Sequence, residues 1–162
     1  MNLYKKIFKE LEKSKINYLI VGGVAVNLYG YARFTGDIDV LIALNPANLS
    51  RMDKLMCKLG YIERLPVKVK ELGNKSKLNE FMKKKGLQAY TYVSSTQFQL
   101  DIDIIVKESL KFKDFDERKT IIKVWDLELP VVCIDDLIKM KKSAKRDKDL
   151  ADLEALLKLK EL

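Results

Sequence analysis

The sequence DIDV at residues 37–40 alternates aspartate with aliphatic residues. Successive side chains of a β-strand point to opposite faces, so Asp37 and Asp39 share one face while Ile38 and Val40 point into the core. Aspartate is a poor strand former, and two of them in a segment with a buried face need a chemical reason. Two carboxylates on one face, beside buried residues, form half of a divalent-metal site.

A second segment, LDIDIIV at residues 100–106, repeats this pattern. Asp101 and Asp103 fall on one face of the predicted strand, and the aliphatic residues fall on the other. The structural alternative is an edge strand whose aspartates face solvent and discourage aggregation. Two Asp-x-Asp strands in one small domain instead favour a shared metal site.

Paired glycines, Gly22 and Gly23, follow an apolar strand at residues 18–21 and precede a short apolar helix. Glycine lets the backbone approach a phosphate closely, and the start of a helix offers free N–H donors to phosphate oxygens. The structural alternative is a tight strand-to-helix turn. The glycine pair lies just before the first acidic strand, and this order suggests phosphate chemistry.

The chain contains no histidine. Its absence removes the commonest general base, the histidine-dependent triads and nearly all catalytic zinc sites. Any chemistry must therefore use carboxylates, lysines, arginines, hydroxyls or the two cysteines. Carboxylate oxygens favour Mg²⁺ or Mn²⁺, and one of these ions is the cofactor we expect.

The net charge of +8 is concentrated in two lysine-rich segments. Residues 68–85 contain seven lysines against two glutamates, a net charge of +5. Residues 139–148 contain five lysines and one arginine against one aspartate, again a net charge of +5. Such segments attract nucleoside triphosphates or an RNA backbone. The alternative is an ordinary solvated face of a lysine-rich helix.

The length of 162 residues fits one domain, residues 1–162, with a full hydrophobic core. No apolar run approaches the roughly 18 residues that a membrane span needs, and the amphipathic N-terminal segment lacks the apolar centre of a signal peptide. Cys57 and Cys133 are isolated in sequence, which favours core thiols over a disulfide. These features predict a cytoplasmic protein without membrane association.

Hydrophobic periodicity and turn residues predict alternating helices and strands around one mixed sheet, an α+β fold that is neither doubly wound nor a sandwich. In the last helix, Leu150, Leu153 and Leu157 are spaced for packing onto the domain. Predicted helices cover 3–14, Gly22–Tyr29, Ala47–Leu59, 75–85, Phe112–Arg118, Asp135–Ala144 and Asp147–Leu159. Predicted strands cover Tyr18–Val21, Asp37–Ala43, Gln88–Val93, Phe98–Val106, Thr120–Trp125 and Glu128–Cys133.

These motifs resemble the DNA polymerase β-like nucleotidyltransferase superfamily, which combines a glycine pair, an Asp-x-Asp pair and a third carboxylate on a neighbouring strand. The sequence is most similar to small prokaryotic nucleotidyltransferases related to the AbiEii-type toxins. The residues that carry this resemblance are GGVA at 22–25, RFTGDID at 33–39 and LIKMKKSAKRDKDLAD at 137–152. Many superfamily members have serine where this chain has Gly23, so phosphate binding here would depend on backbone N–H groups.

The resemblance implies a central mixed sheet flanked by helices, with a catalytic core at about residues 16–106. The hairpin and helices at 120–160 would pack onto this core. Asp37, Asp39 and Asp103 would be the catalytic, metal-binding carboxylates. Asp103 is preferred as the third carboxylate because the residues after it best match the family, and Asp101 is its rival.

The resemblance also suggests a nucleotide-binding set of Gly22, Gly23, Arg33, Lys141 and Arg146. Arg33 would steady phosphate charge or the loop before the first acidic strand, unless it is simply an exposed loop arginine. Lys141 and Arg146 would contact phosphate, with a solvated lysine face as the alternative.

Asp149 and Asp152 begin the last helix, where carboxylates favour the positive end of the helix dipole. They are expected to be structural, with Asp149 pairing with Lys141 or Arg146.

The implied reaction transfers a nucleoside monophosphate from an NTP to an acceptor hydroxyl and releases pyrophosphate. The positive charge favours RNA over a small cationic drug as the acceptor, and the resemblance implies tRNA and a toxin-like role. So small a chain suggests a partner protein or a homodimer. The alternative is a nucleotide-binding regulatory or antitoxin-like module that has lost catalysis. Retention of every candidate carboxylate favours the enzyme.

Overall fold

The computed structural model describes residues 2–96 and 100–162, and within them one mixed seven-stranded sheet is flanked by helices. The strands are Tyr18–Val21 (β1), Asp37–Ile42 (β2), Tyr61–Glu63 (β3), Ala89–Ser94 (β4), Asp101–Ile105 (β5), Thr120–Val124 (β6) and Leu127–Val131 (β7). The helices are Leu3–Lys13 (α1), Gly22–Leu28 (α2), Pro46–Lys58 (α3), Lys75–Lys84 (α4), Phe112–Asp116 (α5), Ile134–Ala144 (α6) and Asp147–Lys160 (α7), with a 3₁₀ helix at Val69–Gly73. The predicted α+β class is confirmed.

The strand order is β3-β4-β5-β2-β1-β7-β6. Two neighbouring pairs are parallel, β2 with β5 and β1 with β7, and the other neighbours are antiparallel. Through the pairing of Ile20 with Val131, the C-terminal hairpin continues the same sheet as the acidic strands. The glycine turn after β1, the two acidic strands and the C-terminal helices are thereby brought to one region.

The aliphatic face of the acidic strands forms the centre of the hydrophobic core. Ile38, Val40, Ile102 and Ile104 all have an exposed fraction of 0%. Tyr90 and Tyr92 on β4 are register partners of Ile104 and Ile102, and their two rings pack edge to face at 5.3 Å. Residues of α1 and α3 complete this side of the core; they are Ile7, Phe8, Leu11, Leu49, Met52, Leu55 and Met56.

Asparagine residues begin three of the helices. The side chains of Asn2, Asn45 and Asn74 each accept a hydrogen bond from a backbone N–H in the first turn of α1, α3 and α4, at 2.9, 2.9 and 3.1 Å. Such a cap stabilises a helix by about 1 kcal/mol because it satisfies a donor that has no partner within the helix. Pro46 follows Asn45 at the first helical position of α3, where its missing N–H costs nothing.

Most predicted elements are confirmed to within about two residues at each end. The strand β3 and the 3₁₀ helix were missed, because they lie in the segment with the weakest sequence pattern. The predicted strand from residue 98 to residue 106 is observed as β5, which begins at Asp101. Residues 98 and 99 of that prediction lie outside the described residues.

The packing face predicted for the last helix is wrong at two of its three leucines, since only Leu153 is partly buried against the core. Leu150 and Leu157 have exposed fractions of 56% and 42%. The residues of α7 that are buried are instead Asp149, Asp152 and Leu156. This face is turned inward because both carboxylates meet cations in the interior, as described below.

The cysteines are not core thiols. Cys57 is exposed on α3, and Cys133 is half-buried just before α6, where its thiol donates a hydrogen bond to Asp136 at 3.2 Å. Both are free, as expected. Among the described residues, no helix has the length and apolar character needed to cross a membrane.

Candidate active site

Three aspartates converge on the face of the sheet opposite the aliphatic core. In the register of β2 and β5, Asp37 is paired with Asp101 and Asp39 with Asp103. Asp37, Asp39 and Asp103 each offer one carboxylate oxygen, and these oxygens all lie within 4.8 Å of one another. All three residues are half-buried. The arrangement is that of a set of hard oxygen ligands held ready for a small divalent cation.

Asp101 lies beside this cluster with other partners. Its carboxylate accepts a hydrogen bond from the backbone N–H of Ser94 at 3.0 Å and forms an exposed ion pair with Arg64 at 3.4 Å. Of the two carboxylates on β5, the geometry brings Asp103 to the Asp37–Asp39 pair.

Proximity and burial make this cluster electrostatically costly without a cation. The pKa of Asp39 is raised from 3.8 to about 7, chiefly by burial and in addition by the neighbouring charges of Asp37 and Asp103. Burial likewise raises the pKa of Asp103, although a hydrogen bond from the Thr91 hydroxyl to its carboxylate, at 2.5 Å, opposes that shift. Carboxylates that repel one another in this way are stabilised by a proton or by a metal ion, so the donor set fits Mg²⁺ or Mn²⁺.

Gly22 passes directly over Asp39. Its φ of +64° lies in the left-handed region, and a β-carbon at this position would collide with the Asp39 carboxylate. Both facts require glycine there. Gly23 is tight for a different reason, because a β-carbon there would lie 2.8 Å from the Thr35 hydroxyl oxygen and 3.0 Å from Nη2 of Arg33.

Arg33 lies in the loop between α2 and β2, and its guanidinium is bound to α7. Its Nε and Nη2 donate to the two carboxylate oxygens of Asp152 at 2.6 and 2.7 Å, and its Nη1 donates to the carbonyl of Phe34 at 2.8 Å. This two-pronged pairing joins the loop before the acidic strand to the last helix. Of the two roles predicted for Arg33, the geometry matches that of steadying the loop.

Lys141 is a buried lysine between α6 and α7. Its ammonium lies 3.1 Å from Asp149 and 2.9 Å from Asp152, and both carboxylates have side chains that are 0% exposed. Arg146 completes the cluster, with Nε 2.7 Å from Asp149. The predicted pairing of Asp149 with Lys141 or Arg146 is therefore observed with both.

Hydrogen bonding outweighs burial for the two carboxylates of α7. Burial acts to raise the pKa of Asp149, but hydrogen bonds from Arg146 and Lys141 lower that pKa to about 2. The pKa of Asp152 is also lowered, because hydrogen bonds from Arg33 and Lys141 outweigh its burial. Both carboxylates are ionised at neutral pH, so the five side chains of this cluster carry three positive and two negative charges.

A cavity of about 480 Å³ opens beside the carboxylate cluster. Its lining includes Gly22 and Asp39 together with Lys141 and Arg146. Four of the eight predicted site residues therefore face a common space. The other four, Asp37, Asp103, Gly23 and Arg33, do not line it, although Asp37 and Asp103 lie close to Asp39 and the Arg33 guanidinium lies close to Gly23.

The remaining walls of the cavity were not predicted from the sequence. Leu110, Phe115 and Met140 supply apolar surface, and Lys107 and Arg118 add positive charge. Arg118 is held by an ion pair with the buried Asp136 at 3.0 Å. A space with one apolar wall and several cations matches the chemistry of a nucleotide, which combines a flat base with a polyphosphate.

No family model matches the sequence, and no curated protein matches it. Solved structures do match. The lincosamide antibiotic adenylyltransferase LnuA, solved with lincomycin bound, is similar with a TM-score of 0.67 at 14% identity, over 96% of this chain and 95% of that chain. ANT(2″)-Ia in complex with adenylyl-2″-tobramycin gives 0.60 at 12% identity, over 95% of this chain and 85% of that chain.

A third similar structure is an antigenic nucleotidyltransferase-like protein from Paracoccidioides brasiliensis. It gives a TM-score of 0.54 at 14% identity, over 93% of this chain and 72% of that chain. The chain therefore shares its fold with these nucleotidyltransferase structures. The expected fold is confirmed at this level, whereas the comparisons do not show a relation to AbiEii-type toxins.

Proposed function

We propose that this chain is a divalent-metal-dependent nucleotidyltransferase. The observation that carries the proposal is the convergence of Asp37, Asp39 and Asp103 beside a cavity lined by Lys141 and Arg146. Anionic metal ligands on one side and cations on the other are what a metal–triphosphate complex requires. The fold supports this reaction class, and the whole chain would act as one catalytic unit.

The three aspartates would hold Mg²⁺ or Mn²⁺. When bound, the ion neutralises the charge that develops on the transferred phosphoryl group and on the leaving pyrophosphate. Asp39 would be the ligand that faces the nucleotide, because it is the one of the three that also lines the cavity.

In the proposed reaction, the hydroxyl oxygen of an acceptor attacks the α-phosphorus of an NTP. The bond from that phosphorus to the bridging oxygen breaks, and pyrophosphate leaves. Asp103 would accept the proton of the attacking hydroxyl. Its carboxylate is half-buried, and the hydrogen bond from the Thr91 hydroxyl would fix its orientation. Lys141 and Arg146 would bind the phosphates, and Gly22 would leave room for them.

The acceptor follows from a different set of observations. The lysine-rich segment at residues 68–85 includes α4, which has no buried residue and therefore presents its charge to solvent. That surface favours RNA or tRNA, consistent with a toxin-like protein related to the AbiEii type, and a partner protein or a homodimer would complete the acceptor site.

A small hydroxyl-bearing molecule is the second candidate acceptor. The similarity to LnuA, a lincosamide antibiotic adenylyltransferase, extends over nearly the full length of both chains, and ANT(2″)-Ia was solved with adenylyl-2″-tobramycin. A non-catalytic nucleotide-binding regulatory module is the remaining alternative, and it predicts nucleotide binding without transfer.

A transfer assay tests the proposal. The protein is incubated with each α-³²P-labelled NTP, MgCl₂ and, in separate reactions, total tRNA, cell lysate, lincomycin or tobramycin. We expect label transfer that is lost in Asp39→Asn and retained in Glu154→Gln, which removes an exposed carboxylate of α7. Nucleotide binding without transfer to any acceptor would support the regulatory module, and the absence of nucleotide binding would refute the proposal.

A further inference from the structure

The strongest unexplained feature of the molecule is the ionic cluster beneath the cavity, formed by Arg33, Lys141, Arg146, Asp149 and Asp152. Burying the two carboxylates of Asp149 and Asp152 completely has a large desolvation cost. Leucines at these two positions of α7 would pack against the domain without that cost. Only Lys141 and Arg146 line the cavity among the cations of this cluster. A role in ordering the cations of the cavity would explain why Asp149 and Asp152 are buried.

Asp152 is the centre of this cluster. One of its oxygens accepts from Nε of Arg33 at 2.6 Å, and the other lies 2.7 Å from Nη2 of Arg33 and 2.9 Å from the ammonium of Lys141. Its side chain is 0% exposed. A single carboxylate on α7 thus fixes two cations that belong to α6 and to the loop before β2.

Each of these cations touches the proposed nucleotide site. Lys141 lines the cavity, as Asp39 does. The Arg33 guanidinium lies against Gly23, where an added β-carbon would come within 3.0 Å of Nη2. A lysine side chain has many rotamers, so an ammonium held by two buried carboxylates is already ordered before a phosphate arrives.

We propose that Asp152 is a positioning residue of the nucleotide site. It holds Lys141 toward the cavity and holds Arg33 against the Gly23 turn, although its own carboxylate contacts no substrate. This inference rests on the proposed function, since it assigns how the nucleotide-binding side chains of that same site are ordered.

The position predicts a specific thermodynamic signature. If Asp152 acts through Lys141, then removing the Asp152 charge leaves Lys141 misplaced. Substituting Lys141 as well would then cause little further loss of nucleotide affinity. The effects of Asp152→Asn and Lys141→Met on nucleotide affinity would then be non-additive. A carboxylate that merely stabilises the fold would change the unfolding temperature and leave the two effects on affinity additive.

The test is calorimetric titration of ATP, GTP, CTP and UTP, each with MgCl₂, at a temperature well below unfolding of every variant. Asp152→Asn is expected to weaken the best nucleotide by 10- to 100-fold, while Lys141→Met adds less than 3-fold in the Asp152→Asn background. Glu154→Gln on the same helix is the matched control, and its affinity is expected to equal that of wild type.

An unchanged affinity in Asp152→Asn overturns the inference, and so do additive losses. If Asp152→Asn fails to fold, Arg33→Lys supplies the second test, because it keeps the charge and removes the two-pronged contact. It is expected to weaken nucleotide binding by at least 3-fold, and an unchanged affinity overturns the inference. Wild-type protein that binds none of the four nucleotides refutes the proposed function itself, a result distinct from wild-type binding with an unaffected Asp152→Asn.

Discussion

Asp39 and Asp103 are register partners on the parallel strands β2 and β5, although 63 positions separate them along the chain. Parallel pairing brings equivalent positions of the two strands side by side, so one acidic residue from each falls on the same face at the same height. The third member, Asp37, precedes Asp39 by two residues and returns to that face. Two short strands therefore supply all three carboxylates of the proposed metal site.

Metal-free protein is expected to lose stability as the pH rises. The folded state holds a proton on Asp39 up to a pKa of about 7, whereas the unfolded chain releases it near 3.8. The stabilising contribution is fully present below about pH 4 and is lost between pH 4 and 7. Thermal unfolding in EDTA should show Asp39→Asn gaining about 1 to 3 kcal/mol over wild type between pH 5 and pH 8.

Added Mg²⁺ should reverse that order. Wild-type protein is expected to unfold at a higher temperature in 10 mM MgCl₂ than in EDTA at pH 8, because the ion replaces the missing proton. Asp39→Asn should show a much smaller Mg²⁺ effect. Equal shifts in both proteins would mean that the ion binds elsewhere.

The two aspartates of β5 should differ in importance. Asp103→Asn removes a ligand of the proposed metal site and the proposed proton acceptor, so nucleotidyl transfer should fall by 10³-fold or more. Asp101→Asn removes an exposed ion pair with Arg64, and such pairs are worth about 0 to 1 kcal/mol. We expect a loss of less than 10-fold in kcat for Asp101→Asn; a larger loss there than in Asp103→Asn would exchange their roles.

Gly22 and Gly86 provide a matched pair of substitutions. Both have a φ of +64°, but a β-carbon at Gly86 meets nothing within 4 Å, whereas one at Gly22 collides with Asp39. Each alanine variant should lose about 1 to 2 kcal/mol from backbone strain. Only Gly22→Ala should also lose Mg²⁺ and nucleotide binding, measured by calorimetry. Retained binding in Gly22→Ala would remove this glycine from the site.

Thr91 should set the pH dependence of the reaction. Its hydroxyl lowers the pKa of Asp103, so Thr91→Val is expected to raise that pKa and shift the acid limb of the kcat profile to higher pH. Thr91→Ser keeps a hydroxyl and should preserve the wild-type limb. A limb that moves equally in both variants would indicate packing rather than hydrogen bonding.

The sequence predicts those parts of the molecule that depend on local pattern. Alternation of aspartate with isoleucine and valine is sufficient to predict β2, β5 and their two faces, because the side-chain period of a strand is two. The preference for Asp103 over Asp101 came from resemblance rather than from periodicity, since a pattern of alternation treats the two alike. The register of β5 against β2 depends on tertiary structure, so only the structure distinguishes the positions of Asp101 and Asp103.

Helix α7 shows where local pattern fails. Its leucine spacing predicts a hydrophobic face at Leu150, Leu153 and Leu157, but of these only Leu153 packs against the core. The helix instead buries Asp149 and Asp152, because their carboxylates form ion pairs with Arg33, Lys141 and Arg146. Hydrophobic periodicity assumes that charged residues face solvent, and buried ion pairs violate that assumption. The role of Thr91 was missed for a related reason. A threonine in a strand is common, and the sequence alone does not show that its hydroxyl donates a hydrogen bond to Asp103 on the neighbouring strand.

The buried pairing of Arg33 and Lys141 with Asp149 and Asp152 has a consequence for the evolution of this chain. A buried charge left without its partner costs about 3 to 5 kcal/mol, so over evolution a substitution at one of these four positions is expected to be compensated by a substitution at another. Relatives should therefore keep all four residues or replace them as a group. Positions 33, 141, 149 and 152 would then covary among relatives of this chain.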